Sequence, residues 1–533
     1  MRRAAIAATA AAALSAAAVV TAGSATTSSP SFTGVPSPNP KATGFAAPNI
    51  LTPELRESLV AQGSFKLENG TADVPYYGYD GNGPMVPPAG STTEASKTEP
   101  DKNTYLVLDG QKGADPSYDY GTHFLYQGHE TGTTGYITRI NLDADGAQRV
   151  TLLATGDVNG APLPTFDGST WDPWAQRLLF TAEGSQGGGV WQATLDVQSK
   201  VEALTGILGQ GGFEGIQNDS QGNLYVVEDI GGKTGTLNPH AKQPNSFLYR
   251  FVPADKTDLT KGGKLQALQV ESLAHPGQAI VFHDGQPDQD ITSQDTKDLN
   301  TLGKVFDTRW ITVHDTAVDG TGAFSANLAA KAKGATPFKR PENGVFRPGS
   351  GFTQFFFDAT GDTNALSEAN AQYGGWGGAF RLSQSPFSST GKLRLFYAGD
   401  QAHSGFDNVA FLTRNSVVFV EDAGDTLHTQ RNALDSGYLF DANHDYSDGA
   451  QPVRLLAQGR DPSATLDSGY LGQPGFQNEG DNEITGFHVS NGDASTGGIL
   501  GAQDPRPFVS RDWRVFYTQQ HGDNSTWEII KRR

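Results

Sequence analysis

GFEGIQNDSQGNLYVVED, Gly212 to Asp229, and GFDNVAFLTRNSVVFVED, Gly405 to Asp422, lie over one another without a gap. In both, a Phe is followed by an acid, and Glu-Asp begins 15 residues after that Phe. Spacing and residue type agree at both ends, which marks a repeat, and self-similarity of this kind organises a whole fold. Looser copies extend it. FDGSTWDPWAQRLLFTAEG starts at Phe166 and PENGVFRPGSGFTQFFFDATGD at Pro341. NEITGFHVS, from Asn482, is separated by an insertion from WRVFYTQQHGD, which ends at Asp523. At the front, NTYLVLDG from Asn103 and THFLYQGHE ending at Glu130 form a degenerate first copy.

A further strand follows each copy: GYITRINLD from Gly135, GVWQATLD from Gly189, SFLYRFVPAD from Ser246, GGAFRLSQS from Gly377, GYLFDANHD from Gly437 and STWEIIK from Ser525. Their alternation of apolar and polar residues is the strand period. Six units between Asn103 and Arg533 average about 70 residues, longer than a common blade of about 40–50, so insertions are expected between strands. Antiparallel sheets set radially give an all-β six-bladed β-propeller with long inter-strand insertions. A sandwich is the rival, but it would not need an acid at the same place in each repeat.

Within a unit the Phe-acid pair begins the first strand and Glu-Asp ends the second. An antiparallel hairpin brings its open ends together, so Glu214 should lie near Glu228, and Asp407 near Glu421 and Asp422. The first strand of a blade lies nearest the axis, which collects these ends around one mouth. Asp167, Glu214, Glu342, Asp407 and Glu483 are the innermost candidates. Carboxylates crowded within a few ångströms must protonate or find a cation. An all-oxygen cluster suits Ca²⁺. Iron or manganese would want imidazole as well, and His129, His403, His428 and His521 fall near the same loops. The alternative is that the acids cap turns or hold Arg and Lys between blades.

The rest of the chain sets limits on this reading. Arg2 and Arg3 precede an Ala-rich run from Ala4 to Val20 and the small residues Ala22-Gly23-Ser24-Ala25. That is the pattern of a secretory signal, residues 1–25, cleaved near Ala25. The run is short and weakly apolar for a bilayer span, which takes about 20 apolar residues, and no later segment qualifies, so a secreted, extracellular protein without a membrane span is expected. Residues 26–100 read as a leader and N-terminal strap, disordered over Thr26–Phe45, with one short helix over Thr52–Leu67 capped by Thr52 before Pro53 and Glu54. Residues 101–533 form the propeller. The chain has no Cys, so its stability rests on the core, the repeats and bound ions rather than on disulfides. Its 65 Gly, with abundant Asp, Asn and Ser, point to many tight turns. The formal charge of −19 repels nucleic acid and anionic lipid. A phosphorylated substrate would be repelled as well unless a cation waited at the site. DANHDYSDG, from Asp441, begins like a calcium loop, but its Gly and closing acid fall wrongly for an EF-hand, and it reads as a polar turn. No G-x-S-x-G, P-loop or H-E-x-x-H is present.

RPENG (Arg340–Gly344), FTAEG (Phe180–Gly184), the two F-[ED]-x…V-E-D copies, and GDNEITGFHVS with WRVFYTQQHGDN resemble the PhoX-type alkaline phosphatase family. The resemblance covers most of the chain from about Asn103 and is most specific at RPENG and at the C-terminal segment. It implies an exported six-bladed propeller acting on phosphate esters, with calcium and iron at the axial mouth held by carboxylates and a cysteine. Where the family's iron-binding turn resembles T-C-E-E, this chain has Thr181-Ala182-Glu183-Gly184. The thiolate is lost to Ala182 and one carboxylate to Gly184. This argues against iron bound in the family's manner, whereas Glu183, Glu214, Glu342 and Asp407 keep oxygen donors for calcium. Arg340 or Arg347 is expected to grip phosphate as a bidentate fork, with inter-blade pairing the alternative, above all for Arg347. Metal-dependent hydrolysis of phosphate monoesters is the expectation. A non-catalytic, calcium-stabilised propeller binding an extracellular ligand, or a calcium-dependent lactonase or esterase, are the alternatives.

Overall fold

Every segment read above as alternating forms a strand, and successive strands pair antiparallel. The computed structural model describes residues 31–36, 49–85, 95–184, 187–367, 372–433, 435–458, 483–520 and 524–532. The expected signal, residues 26–30, 37–48 and 86–94 of the expected leader and strap, and His521 lie outside the described residues. Among the described residues no helix is long and apolar enough to cross a membrane.

The first sheet runs Pro100–Val107, His123–His129, Ile137–Asn141 and Val150–Ala154 in chain order. The second runs Ser169–Asp172, Arg177–Ala182, Gly189–Ala193 and Val201–Ala203. Later hairpins start from Phe213–Asn218, Gly344–Phe346, Phe406–Thr413 and Glu483–Ser490. These six first strands touch one another in sequence, and the last touches the first. The ring makes the fold propeller-like, with the first strands around an axis.

Hydrogen bonding divides the ring into five sheets rather than six. A nine-stranded sheet contains both the Phe213–Asn218 and the Gly344–Phe346 hairpins, because Phe306–Asp315 joins them. That strand pairs along its length with Gly263–Val270, and its first four residues also pair with Thr390–Leu393. An outer strand presents unpaired N–H and C=O groups, and the long insertion after Val270 supplies a partner for two such edges at once.

The helix expected over Thr52–Leu67 does not form. Leu55–Ala61 is instead a strand on the outer edge of the C-terminal sheet, in register from Leu55 opposite Lys531 to Ala61 opposite Thr526. Asn49–Leu51 likewise completes the sheet of Val453–Gln458. Local capping chemistry at Thr52 lost to the open edge of Ser525–Lys531, a tertiary partner that a window of sequence does not contain. The next stretch is also bound in. Tyr77 is fully buried and its hydroxyl lies 2.6 Å from Gln127 and 2.7 Å from Thr526, bridging the first and last sheets.

The Phe of each repeat packs inside its own sheet. Phe166 meets Phe180 and Trp191, Phe213 meets Tyr249, and Phe406 meets Phe419 and Phe440, all with ring centroids 5.3–6.0 Å apart. All three Phe are fully buried; truncating one to Ala costs about 3–5 kcal/mol. Because side chains alternate along a strand, anchoring the Phe in the sheet sends the next residue, the acid, away from that packed face.

Candidate metal centre at the axial mouth

Register locates the site. Pro100, Phe213 and Phe406 hold the same place in their hairpins, opposite His129, Glu228 and Glu421. In all three the ladder is irregular just beyond that pair, a bulge that re-aims the next side chain. The next residues are Asp101, Glu214 and Asp407. The residues following the partners are Glu130, Asp229 and Asp422. Asp167 and Glu183 hold the corresponding places in the second sheet, with Asp167 N–H bonded to the Thr181 carbonyl. In the RPENG hairpin Glu342 takes the first place and Thr360, whose hydroxyl donates to Glu342, stands where the second acid would be.

Two groups of carboxylates result. Glu183, Glu214, Asp229 and Glu342 each bring one oxygen within 4.8 Å of the others, and Asp101, Glu130 and Asp167 do the same. Glu214 and Glu342 are buried, whereas Glu183 and Asp229 are partly exposed at the rim. Asp407 is buried beside both groups, its charge coupled to Asp101, Asp422 and Glu342.

Burial and mutual repulsion raise the pKa of most of these carboxyls. Burial, then the charges of neighbouring carboxylates, keeps Asp167, Glu183 and Glu214 well above the usual carboxylate range. Burial does the same to Asp407, with Asp101 and Asp422 adding to it. Burial and Asp229 push Glu342 up to about 7, even with Arg340 opposing them. Burial also pushes Asp101 up to about 7. Asp167 Oδ1, Asp358 Oδ2 and Asp407 Oδ2 are buried with no hydrogen-bond partner. Asp167 belongs to the second group, and carboxylate oxygens gathered in this way, with no sulfur among them, fit a hard divalent cation such as Ca²⁺.

Among the described residues no imidazole joins them. His129 is stacked on Tyr136 and edge-on to Tyr77, and burial pushes its pKa down to about 3. His403 bonds Asp400 and lies against Tyr397 and Tyr438, and His428 bonds Asp435 with both side chains fully buried. Neither carboxylate group contains a His among the described residues, which leaves the first coordination sphere to oxygen and gives no support to a nitrogen-preferring metal.

Arg340 stands at the rim. Its guanidinium meets Asp229 at 2.8–3.1 Å and Glu342 at 3.4 Å, and about a quarter of its side chain is exposed. Its backbone adopts φ +49°, a left-handed conformation costly for a non-glycine residue and characteristic of functional sites. Arg347 is elsewhere, bonded to the Arg414 carbonyl, Asn415 and Asn443.

Of the metal ligands expected from sequence, Glu183, Glu214 and Glu342 come together, and Asp167 joins a second group. Glu228, Glu421 and Glu483 stand apart. Glu228 accepts from Phe247 N–H, the Tyr249 hydroxyl and Asn327 Nδ2 at 3.0–3.1 Å. Glu421 accepts from Ser404 N–H and Ser436 N–H and pairs with Arg431 at 3.0 Å. Glu483 pairs with Gln520 at the end of the ladder, which becomes irregular only beyond Thr485, so Glu483 does not hold the acid place. Asp101, Glu130 and Asp229, which the sequence reading does not single out, also join these groups. Counting one residue on from each hairpin's closing pair would have found all three.

Comparison with known proteins gives one family. The family description "Alkaline phosphatase PhoX" matches residues 213–491. No curated protein sequence matches. Among solved structures, Pseudomonas fluorescens PhoX in complex with vanadate, a transition state analogue, is similar over 94% of this chain and 98% of its own, at 12% identity and a TM-score of 0.56. A gluconolactonase from Xanthomonas campestris matches over 82% of this chain and 86% of its own, at 9% identity and a TM-score of 0.37.

Proposed function

The chain belongs to the PhoX alkaline phosphatase family, and on that premise we propose that it is a secreted, calcium-dependent phosphomonoesterase working at the axial mouth of a six-bladed propeller. The nine-stranded sheet reads as two blades fused through Phe306–Asp315, and the ring of six first strands supports that reading. The observation that carries the function is the meeting of four acids from separate hairpins, Glu183, Glu214, Asp229 and Glu342, under a partly exposed arginine.

In this reading Glu183, Glu214, Asp229 and Glu342 hold one divalent ion, and Asp101, Glu130 and Asp167, with Asp407 beside them, a second. Bound there, the ions would supply positive charge for phosphate oxygens and lower the pKa of an oxygen nucleophile. The residues do the rest. Arg340, held protonated by Asp229 and Glu342 despite burial, keeps part of its planar fork open for two phosphate oxygens. The carboxylates would hold and orient the ions, whose charge would offset the repulsion between these acids and a phosphate.

A specific observation favours a second reading, a calcium-stabilised propeller that binds an extracellular ligand without turnover: Ala182 and Gly184 stand where the family turn resembles Cys and Glu. One assay separates the two. The purified protein should release phosphate from a simple aryl phosphate in millimolar Ca²⁺ and stop on chelation. Arg340→Ala should weaken substrate binding about tenfold or more without changing calcium stoichiometry. No turnover with any divalent metal or with iron would remove the hydrolase and leave the binding protein.

A further inference from the structure

Lys102 is among the most buried large side chains in the molecule, 1% exposed, on the first strand next to Asp101. A lysine ammonium is seldom buried so completely, because removing its charge from water is costly unless opposite charge compensates. Here the compensation is diffuse. Nζ donates to a neutral group, Asn343 Oδ1, at 2.8 Å, while Asp358, Asp101, Asp407 and Glu214 supply the surrounding negative charge. Asn343 is itself fully buried and passes the contact on. Its Nδ2 donates to Glu214 Oε1 at 2.9 Å and its backbone N–H to Asp358 Oδ1 at 2.8 Å. Gly215 makes room for this arrangement, since a Cβ there would stand 2.8 Å from Asn343 Cα and 3.1 Å from its Oδ1. The backbone of Lys102 is pinned as well, its carbonyl accepting from Ser169 Oγ at 2.8 Å.

We propose that Lys102 is a built-in cation of the axial well, adjacent to Asp101 and bonded to Asn343, which offsets part of the carboxylate charge and orients Glu214 through Asn343. Arg340 does this at the rim and Lys102 in the interior, so mobile ions need neutralise only the carboxylates between them. Two consequences follow from charge alone. Lys102 weakens the affinity of the well for divalent ions, and it stabilises the fold when none is bound. The proposal rests on the reading that the mouth holds divalent ions, and its test does not use phosphatase activity.

Wild type, Lys102→Met and Lys102→Gln would be titrated with Ca²⁺ by calorimetry and melted with and without chelator. Lys102→Gln retains a donor for Asn343 and so separates charge from packing. Both variants should bind Ca²⁺ about tenfold or more tightly and lose thermal stability in chelator, with the loss recovered in calcium. Equal affinity in all three proteins would overturn the proposal and leave the metal site standing. Binding in the variants but not in wild type would support it and show that the natural well does not load calcium. Absence of binding in every protein would overturn both. Variants that fail to fold even in millimolar calcium would mark Lys102 as a packing residue and end the idea.

Discussion

The two gap-free repeats, Gly212–Asp229 and Gly405–Asp422, share a backbone and differ in how they handle charge. Each places Phe opposite Glu and kinks at the next residue. Each uses that Glu, 228 or 421, to receive backbone N–H groups and fasten neighbouring chain to the hairpin end. At Glu228 the other partners are neutral, Tyr249 and Asn327, and burial pushes the carboxyl up to about 8. At Glu421 the partner is Arg431, from the helix Gly424–Arg431, which also reaches Asp435 at 3.5 Å. The repeat therefore sets where a carboxylate goes. The insertions outside the repeat, which contribute Asn327 and Arg431, set whether it is neutralised by a proton or by a cation.

Removing the cation should break the comparison most severely. Arg431→Ala would remove the guanidinium that pairs with buried Glu421 and Asp435, and we expect a loss of about 3–5 kcal/mol in denaturant unfolding. A loss below about 1 kcal/mol would mean that Glu421 is as self-sufficient as Glu228. The fourth residue of each copy gives the next effect. Gly215 approaches Asn343 too closely for a Cβ, whereas the second copy carries Asn408 at that place. Gly215→Ala should cost about 2 kcal/mol, and unchanged stability would show that the inner strands have slack.

A third effect sharpens the contrast through pH. Glu228 has a folded pKa of about 8 against its usual 4.5. The unfolded chain therefore gives up this proton first as pH rises. The contribution of Glu228 to stability is greatest below about 4.5, falls between about 4.5 and about 8, and is constant above. Relative to Glu228→Gln, wild type should lose about 1.4 kcal/mol for each pH unit in that window, read by unfolding at pH 5, 6 and 7. A flat difference across the window would show that Glu228 is ionised in the fold.

The misplaced ligands have one cause. Glu228 and Asp229 are adjacent and chemically alike, and nothing in VVED says which of them turns to the axis. Register says it, because the residue that closes the hairpin is taken by the sheet and the one after it is free. The same uncertainty hid Asp101, whose copy begins with Pro100 instead of Phe, and moved Glu483 into a position it does not hold. The strand over Leu55–Ala61 was hidden differently, since its partner lies at the far end of the chain.

Alternation, the anchored Phe and the acid beside it are local properties, and the chain carries them in its linear order: an all-β repeat with one acidic end per hairpin was written there. Which acids meet, which lysine and arginine lie among them, and that two hairpin units share one sheet depend on contacts between residues hundreds of positions apart. Those contacts are selected by burial and by the need to satisfy every strand edge. Only the closed ring brings Glu183, Glu214, Asp229 and Glu342 within reach of one ion.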